Sequence, residues 1–151
     1  MLVLQKTTNT DPHFLMLIAA LDADLKITDG EDHHFYHQYN GVEQIKHIVI
    51  GYNNSDPVCC GAFKELDAKT VELKRMYTAP IARKKGFAKQ ILTALEQWAS
   101  SLGYKNMVLE TGENQIAAVQ MYSHYGYLRI PNYGQYKGVA ASLCFGKSLF
   151  L

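Results

Sequence analysis

The chain has 151 residues, 48% of them hydrophobic, and a formal net charge of +1, which fits one domain with a substantial core and removes any general electrostatic reason to bind nucleic acid. Its longest apolar run, Phe14 to Leu21, is far too short to span a bilayer. The opening MLVLQKTTNTD lacks the charged-then-apolar layout of a signal peptide, so a single-domain, soluble, cytoplasmic protein with no membrane partner is expected.

Leu2 to Gln5 reads as a short opening strand. Asp11-Pro12 supplies an N-cap with proline at the first helical position, and Phe14, Leu17, Ile18, Leu21 and Leu25 mark the buried face of a helix that Thr28-Asp29-Gly30 breaks. Glu31 to Tyr39 is expected to form a second short helix, ended by Asn40-Gly41. Within it His33 and His37 stand at i,i+4 spacing, but no third ligand has a clear spacing, so no metal is expected. His47 to Tyr52 and Val58 to Lys64 bracket a turn-rich linker and predict an antiparallel hairpin. Cys59 and Cys60 lie in its second strand and Cys144 in a later apolar segment. Their odd number and apolar setting read as buried, reduced thiols, and adjacent Cys59 and Cys60 should point to opposite faces.

Thr70 to Thr78 forms a third strand, stopped at Ala79-Pro80 because proline cannot donate to a ladder. Arg83-Lys84-Lys85-Gly86-Phe87-Ala88 follows at once. Phe87, Ala88, Ile91, Leu92, Leu95, Trp98, Ala99 and Leu102 then recur on one helical face, and Gly103 ends that helix. Strand, basic turn and helix start thus adjoin. The unpaired N–H groups of a first helical turn and the positive end of its dipole make an anion site that Gly86 lets a phosphate approach, with charge added by Arg83, Lys84, Lys85 and Lys89. Further on, Asn106 to Thr111 is a strand and Gln115 to Tyr125 a helix stopped by Gly126. Tyr127 to Ile130 and Ala141 to Leu149 close the chain as strands. The predicted class is α/β, a mixed and mostly antiparallel sheet flanked by helices, in the order β-α-α-β-β-β-α-β-α-β-β.

That order, with RxxGxA opening the central helix, resembles the GNAT superfamily of acyl-coenzyme A dependent N-acyltransferases. Arg83, Gly86 and Ala88 fall on the defining places of the family's Q/R-x-x-G-x-G/A signature. QIAAVQMYSHYGY is similar to the family's N-x-x-A-x-x-L-Y-x-x-x-G-F pattern: Ala118, Tyr122 and Gly126 match, while Gln115, Met121 and Tyr127 replace the asparagine, leucine and phenylalanine. The resemblance implies acetyl transfer from acetyl-CoA to a primary amine of a small molecule or peptide, by direct attack in a ternary complex. It places Met76, Tyr77 and Thr78 along the pantetheine arm and Lys84, Lys85, Gly86, Phe87 and Ala88 on the pyrophosphate, with Arg83, Lys89 and Gln115 as further coenzyme contacts. Tyr122 falls at the place of a tyrosine that protonates the departing thiolate.

Glu72, six residues before Thr78, matches the place of a catalytic carboxylate in one branch and is the first choice for general base. Strand alternation puts it on one side with Lys74, Met76 and Thr78 if no bulge intervenes; a carboxylate paired with Lys74 or Arg75 on a polar surface is the alternative. The resemblance also leaves His33, His34 and His37 as acceptor-pocket candidates against a solvated helix face. Glu110 is either a contact for a cationic acceptor or a cap for the following helix, and Tyr133 to Tyr136 an acceptor cover or a packed hairpin tip. Acidic Asp22, Asp24, Glu31 and Asp32 suit a cationic acceptor, or simply face solvent. Homodimers are frequent in the family. A non-catalytic acyl-CoA sensor is the second reading, and a nucleotide-binding protein the third, disfavoured because GxxxxGK[ST] is absent.

Overall fold

The computed structural model describes residues 1–30 and 41–149. The expected helix over 31–39, with His33, His34 and His37, lies outside the described residues. Seven strands form one sheet: β1 (Leu2–Thr7), β2 (His47–Asn53), β3 (Asp56–Glu65), β4 (Thr70–Thr78), β5 (Asn106–Gly112), β6 (Leu128–Ile130) and β7 (Ser142–Ser148), in the order β1-β2-β3-β4-β5-β7-β6. Three α-helices are described: α1 (Pro12–Asp29), α2 (Phe87–Ser101) and α3 (Ile116–His124). Asp11 caps α1 as its sequence demands, accepting from the backbone N–H of His13 at 2.8 Å. Gly103, at φ +95°, takes up the left-handed conformation that ends α2.

The sheet has a helical layer on each face. Phe14, Leu17 and Ile18 of α1 pack on Ile48, Ile50, Cys60 and Ala62, while Ile91, Leu92, Leu95 and Ala99 of α2 pack on Val49, Cys59, Phe63 and Leu73. Cys59 and Cys60 thus serve opposite cores, as strand alternation requires. β3, buried over Val58–Phe63, reads as a continuous apolar run because both its faces are covered.

Two irregularities shape the centre. Opposite Gly61 of β3, the register of β4 slips: Cys60 pairs with Tyr77 but Ala62 with Lys74. Arg75 takes up the extra residue at φ +58°, so this is a β-bulge. The condition under which Glu72, Lys74, Met76 and Thr78 would share a side is therefore not met. Glu72 and Lys74 face α1, on the side opposite Val71 and Leu73, but past the bulge Met76 packs with the α2 core and Tyr77 with the α1 core. The second irregularity is a parting. β4 and β5 are parallel, and their register covers only Thr70–Glu72 with Asn106–Val108. Beyond Val108, β5 goes on pairing with β7 as far as Gly112, while β4 continues beside β3. The sheet therefore opens at its middle.

Candidate active site

The opening is a cleft reached by side chains from both layers. Leu21, Leu25 and Asp29 of α1 line one side, and Gln115, Ala118 and Tyr122 the other; Glu72, Lys74, Arg75 and Met76 of β4 face Glu110 and Thr111 of β5 across the gap. Leu21 and Leu25 carry the apolar stripe of α1 past the closed core into this cleft, which is why they are only half-buried. Beside it lies a shallower depression bounded by Thr78, Arg83, Lys84, Gly86, Phe87, Ala88 and Lys89 with Met121 and Tyr125 of α3. Met76 and Tyr122 border the first, and Thr78 and Met121 the second, so one path runs from the basic turn to the parted strands.

At the turn, Gly86 is the N-cap of α2 at φ +77°, and no side chain caps the helix. Its first-turn N–H groups therefore keep the unpaired donors of a helix start. Apart from its neighbours in the chain, no residue comes within 4 Å of where a Gly86 Cβ would stand, which leaves room for a phosphate against the backbone. Lys84, Lys85 and Lys89 are exposed around it. Arg83 is engaged instead with the chain: Nε donates to the Thr78 carbonyl at 2.8 Å and the guanidinium meets Asp24 at 3.4 Å. Asp22 is likewise engaged, 2.8 Å from the guanidinium of buried Arg75, which also donates to the Ile18 carbonyl. Two of the acidic side chains weighed for a cationic acceptor thus tie α1 to β4 and to the turn.

The structure brings Met76, Gln115, Tyr122 and Glu72 to the cleft and Thr78, Arg83 to Lys85 and Gly86 to Lys89 to the turn. Tyr77 faces away from Met76 by strand alternation; it lies in the α1 core with the Arg83 guanidinium over its ring. Gln115 sits at the start of α3 with Nε2 buried and unpartnered, an orphan donor of the kind a ligand satisfies. Tyr122 is 6% exposed, edge-on to Tyr127, and burial pushes its phenol well above the ordinary value, so it holds its proton at neutral pH.

Glu72 is not a surface carboxylate but 1% exposed. Tyr133 donates to its Oε2 at 2.5 Å, and Lys74 and Lys64 stand 3.4 and 3.9 Å from Oε1. Lys74 in turn donates to the Tyr136 hydroxyl at 3.5 Å, and burial holds its ammonium below the usual lysine range against the opposing pull of Glu72. Tyr133 and Tyr136 come from a 3-10 turn, Gly134–Tyr136, packed on Cys144 of β7. Both weighed roles of that loop find a basis, since Tyr136 lines the cleft and the two rings stack edge-on at 5.8 Å. Sequence reasoning gave Glu110 no chemical task beyond a contact or a cap. Here burial lifts its carboxyl to about 7, against the opposing effects of a Ser142 hydrogen bond and the Lys74 charge, and its Oε2 is buried without a hydrogen-bond partner.

Burial raises Cys59 to about 11 and Cys60 to about 12 and pushes Cys144, the β7 partner of Glu110, upward as well, so none of the three is a thiolate at neutral pH. Among the described residues no three His, Cys, Asp or Glu side chains gather as a metal site, and no described helix is long and apolar enough to cross a membrane.

Residues 15–127 match the Acetyltransferase (GNAT) family, and the chain belongs to that family. Among its curated relatives, an uncharacterised N-acetyltransferase of Bacillus subtilis, YsnE, is 39% identical over 70 residues, 45% of this chain and 46% of the relative. The match thus spans less than half of that relative's length. A Klebsiella pneumoniae protein assigned by name to the acyl-CoA N-acyltransferases superposes with a TM-score of 0.84 at 28% identity over 99% of both chains. A GNAT family acetyltransferase from Elizabethkingia anophelis with acetyl-CoA bound shares the fold at TM-score 0.71 and 17% identity, over 97% of each chain.

Proposed function

We propose that the protein transfers an acetyl group from acetyl-CoA to a primary amine of a small molecule or peptide, by direct attack in a ternary complex. The observation that carries this reading is the parted sheet: a buried tyrosine on one side of the gap and carboxylates on the other, reached by a path from an uncapped basic helix start. Acetyl-CoA supplies the acyl group on a thiolate leaving group. The backbone of residues 84–88 would hold its pyrophosphate, Met76 and Thr78 would flank the pantetheine arm, and Gln115 Nε2 would donate to it.

Tyr122, kept protonated by burial, gives its proton to the sulfur as the C–S bond breaks. An acceptor amine enters from the α1 side, between Leu21, Leu25 and the carboxylates. Three unpaired thiols support a reducing, cytoplasmic setting.

Thiol release from acetyl-CoA across amino acids, polyamines, amine antibiotics and lysine or N-terminal peptides tests the reading. One acceptor class is expected to drive release; no acceptor-dependent release, with coenzyme still bound, would mark a sensor instead. With that acceptor, Tyr122→Phe is expected to lower kcat by about 10²-fold or more, within the range of general-acid effects, and to leave coenzyme affinity unchanged. Equal turnover would remove Tyr122 from the acid role.

A further inference from the structure

Resting on that reading, the geometry points to Glu110 as the group that takes the proton from the acceptor ammonium, with Glu72 as a positioning residue that holds Lys74 and Tyr133 in place. Glu72 and Glu110 border the acceptor side of the cleft together with Asp29 of α1, and the surroundings of the two glutamates differ. Glu72 is enclosed: one oxygen receives the Tyr133 hydroxyl, and the other faces the ammonium groups of Lys74 and Lys64. Oε1, like Glu110 Oε2, is buried without a hydrogen bond, but Glu72 is 1% exposed and an approaching substrate ammonium would meet the like charges of Lys74 and Lys64 beside that oxygen.

Glu110 lies two residues past Val108, the β5 partner of Glu72, so alternation places it on the same face but beyond the point where the strands part. Its Oε2 has no partner, and it borders the same cleft as Tyr122. The groups acting on it are Lys74 and Glu72 from β4, Asp29 from the end of α1 and Ser142 from β7; Tyr136 and Cys144 feel its charge in turn. Burial outweighs the attractive contributions and leaves a carboxyl that ionises near neutrality, suited to exchange a proton with an amine.

Glu110 accepts one proton from R–NH3⁺ and passes it to solvent. The freed nitrogen lone pair forms the C–N bond to the thioester carbonyl carbon while the C–S bond breaks. The nitrogen gives its second proton to solvent, and solvent reprotonates Tyr122 after it has delivered its proton to the sulfur. The sum is amide, coenzyme thiol and one released H⁺.

The test is the pH dependence of kcat/KM for the acceptor in wild type, Glu110→Gln, Glu110→Asp and Glu72→Gln, with coenzyme affinity measured in each. Glutamine copies the shape of the neutral carboxyl. Wild type is expected to show an acid limb near pH 7. In Glu110→Gln the limb should vanish, the rate should fall about 10²-fold or more and then follow the acceptor's own amine ionisation, with coenzyme affinity intact. Glu110→Asp should keep a limb at reduced rate, which serves should the glutamine variant misfold. Glu72→Gln should keep the limb whatever its effect on KM. A limb that persists in Glu110→Gln, or is absent from a folded Glu110→Asp, or is lost in Glu72→Gln, overturns the assignment while leaving the transferase reading intact. Wild-type protein that acetylates nothing overturns both.

Discussion

Glu110 carries a cost that its chemistry explains. A carboxyl that holds its proton more tightly folded than unfolded loses stability wherever the unfolded chain would ionise it. Its ordinary value is 4.5 and its folded value about 7. The cost is therefore absent below about pH 4.5, grows as pH rises to about 7 and is constant above. At 1.36 kcal/mol per pKa unit, and with solvent reaching the cleft, it amounts to roughly 1–3 kcal/mol. Glu110→Gln is expected to be more stable than wild type by that amount near pH 8 and equal to it near pH 4, in urea unfolding at the two pH values. Equal stability at both would mean an ordinary carboxyl. Glu72 is buried in different company, with Lys74, Lys64 and Tyr133 around it. The local sequence hints at the difference, since Lys74 and Arg75 follow Glu72 while Glu110 has an apolar run before it and Thr111-Gly112 after it, but the Tyr133 and Lys64 contacts come only from the tertiary fold.

Among the elements, β4 and its bulge have the largest local effect. The extra residue at Arg75 turns Met76 toward α2 and Tyr77 toward α1, and the Arg75–Asp22 pair then fastens the bulge to α1. Strand limits were legible in the hydrophobic pattern and the turn residues: Thr70–Thr78 is observed as expected, α1 begins at its expected cap, and α2 starts at Phe87 where its apolar face starts. The bulge was not legible at its position, because an arginine in the left-handed region leaves no local signature. Gly61, opposite the bulge, is a sequence trace of it. A Cβ there would collide with the Met76 sulfur, Ile91 and Leu95, so the chain can carry no side chain where β3 passes beneath α2. Gly61→Val is expected to destabilise the protein by about 1–3 kcal/mol through overpacking, read as a lower thermal midpoint. A midpoint within error of wild type would show that Met76 and α2 shift at little cost.

For the whole molecule, the order of elements was recoverable from periodicity and punctuation, and two motif matches pointed to the family that the comparison with known proteins then showed. The acceptor side was far less legible: α1, the Gly134–Tyr136 turn and β5 each contribute a few side chains that only the assembled sheet brings together. The same assembly gives the sheet an unusual mechanics. Because β4 and β5 register over only Thr70–Glu72 and Asn106–Val108, β1 to β4 and β5 to β7 form two plates joined by a ladder of three residue pairs, which is expected to act as a hinge. Backbone amides bordering the gap beyond Glu72 and Val108 should exchange with deuterium faster than those on the hinge, and coenzyme bound across the gap should slow them, as mass spectrometry of peptides covering 73–78 and 109–112 would register. Exchange unchanged by coenzyme would mean that the plates are already locked without it. In the expected case the cosubstrate is also a structural splint: each turnover that releases it briefly gives the two plates back their freedom.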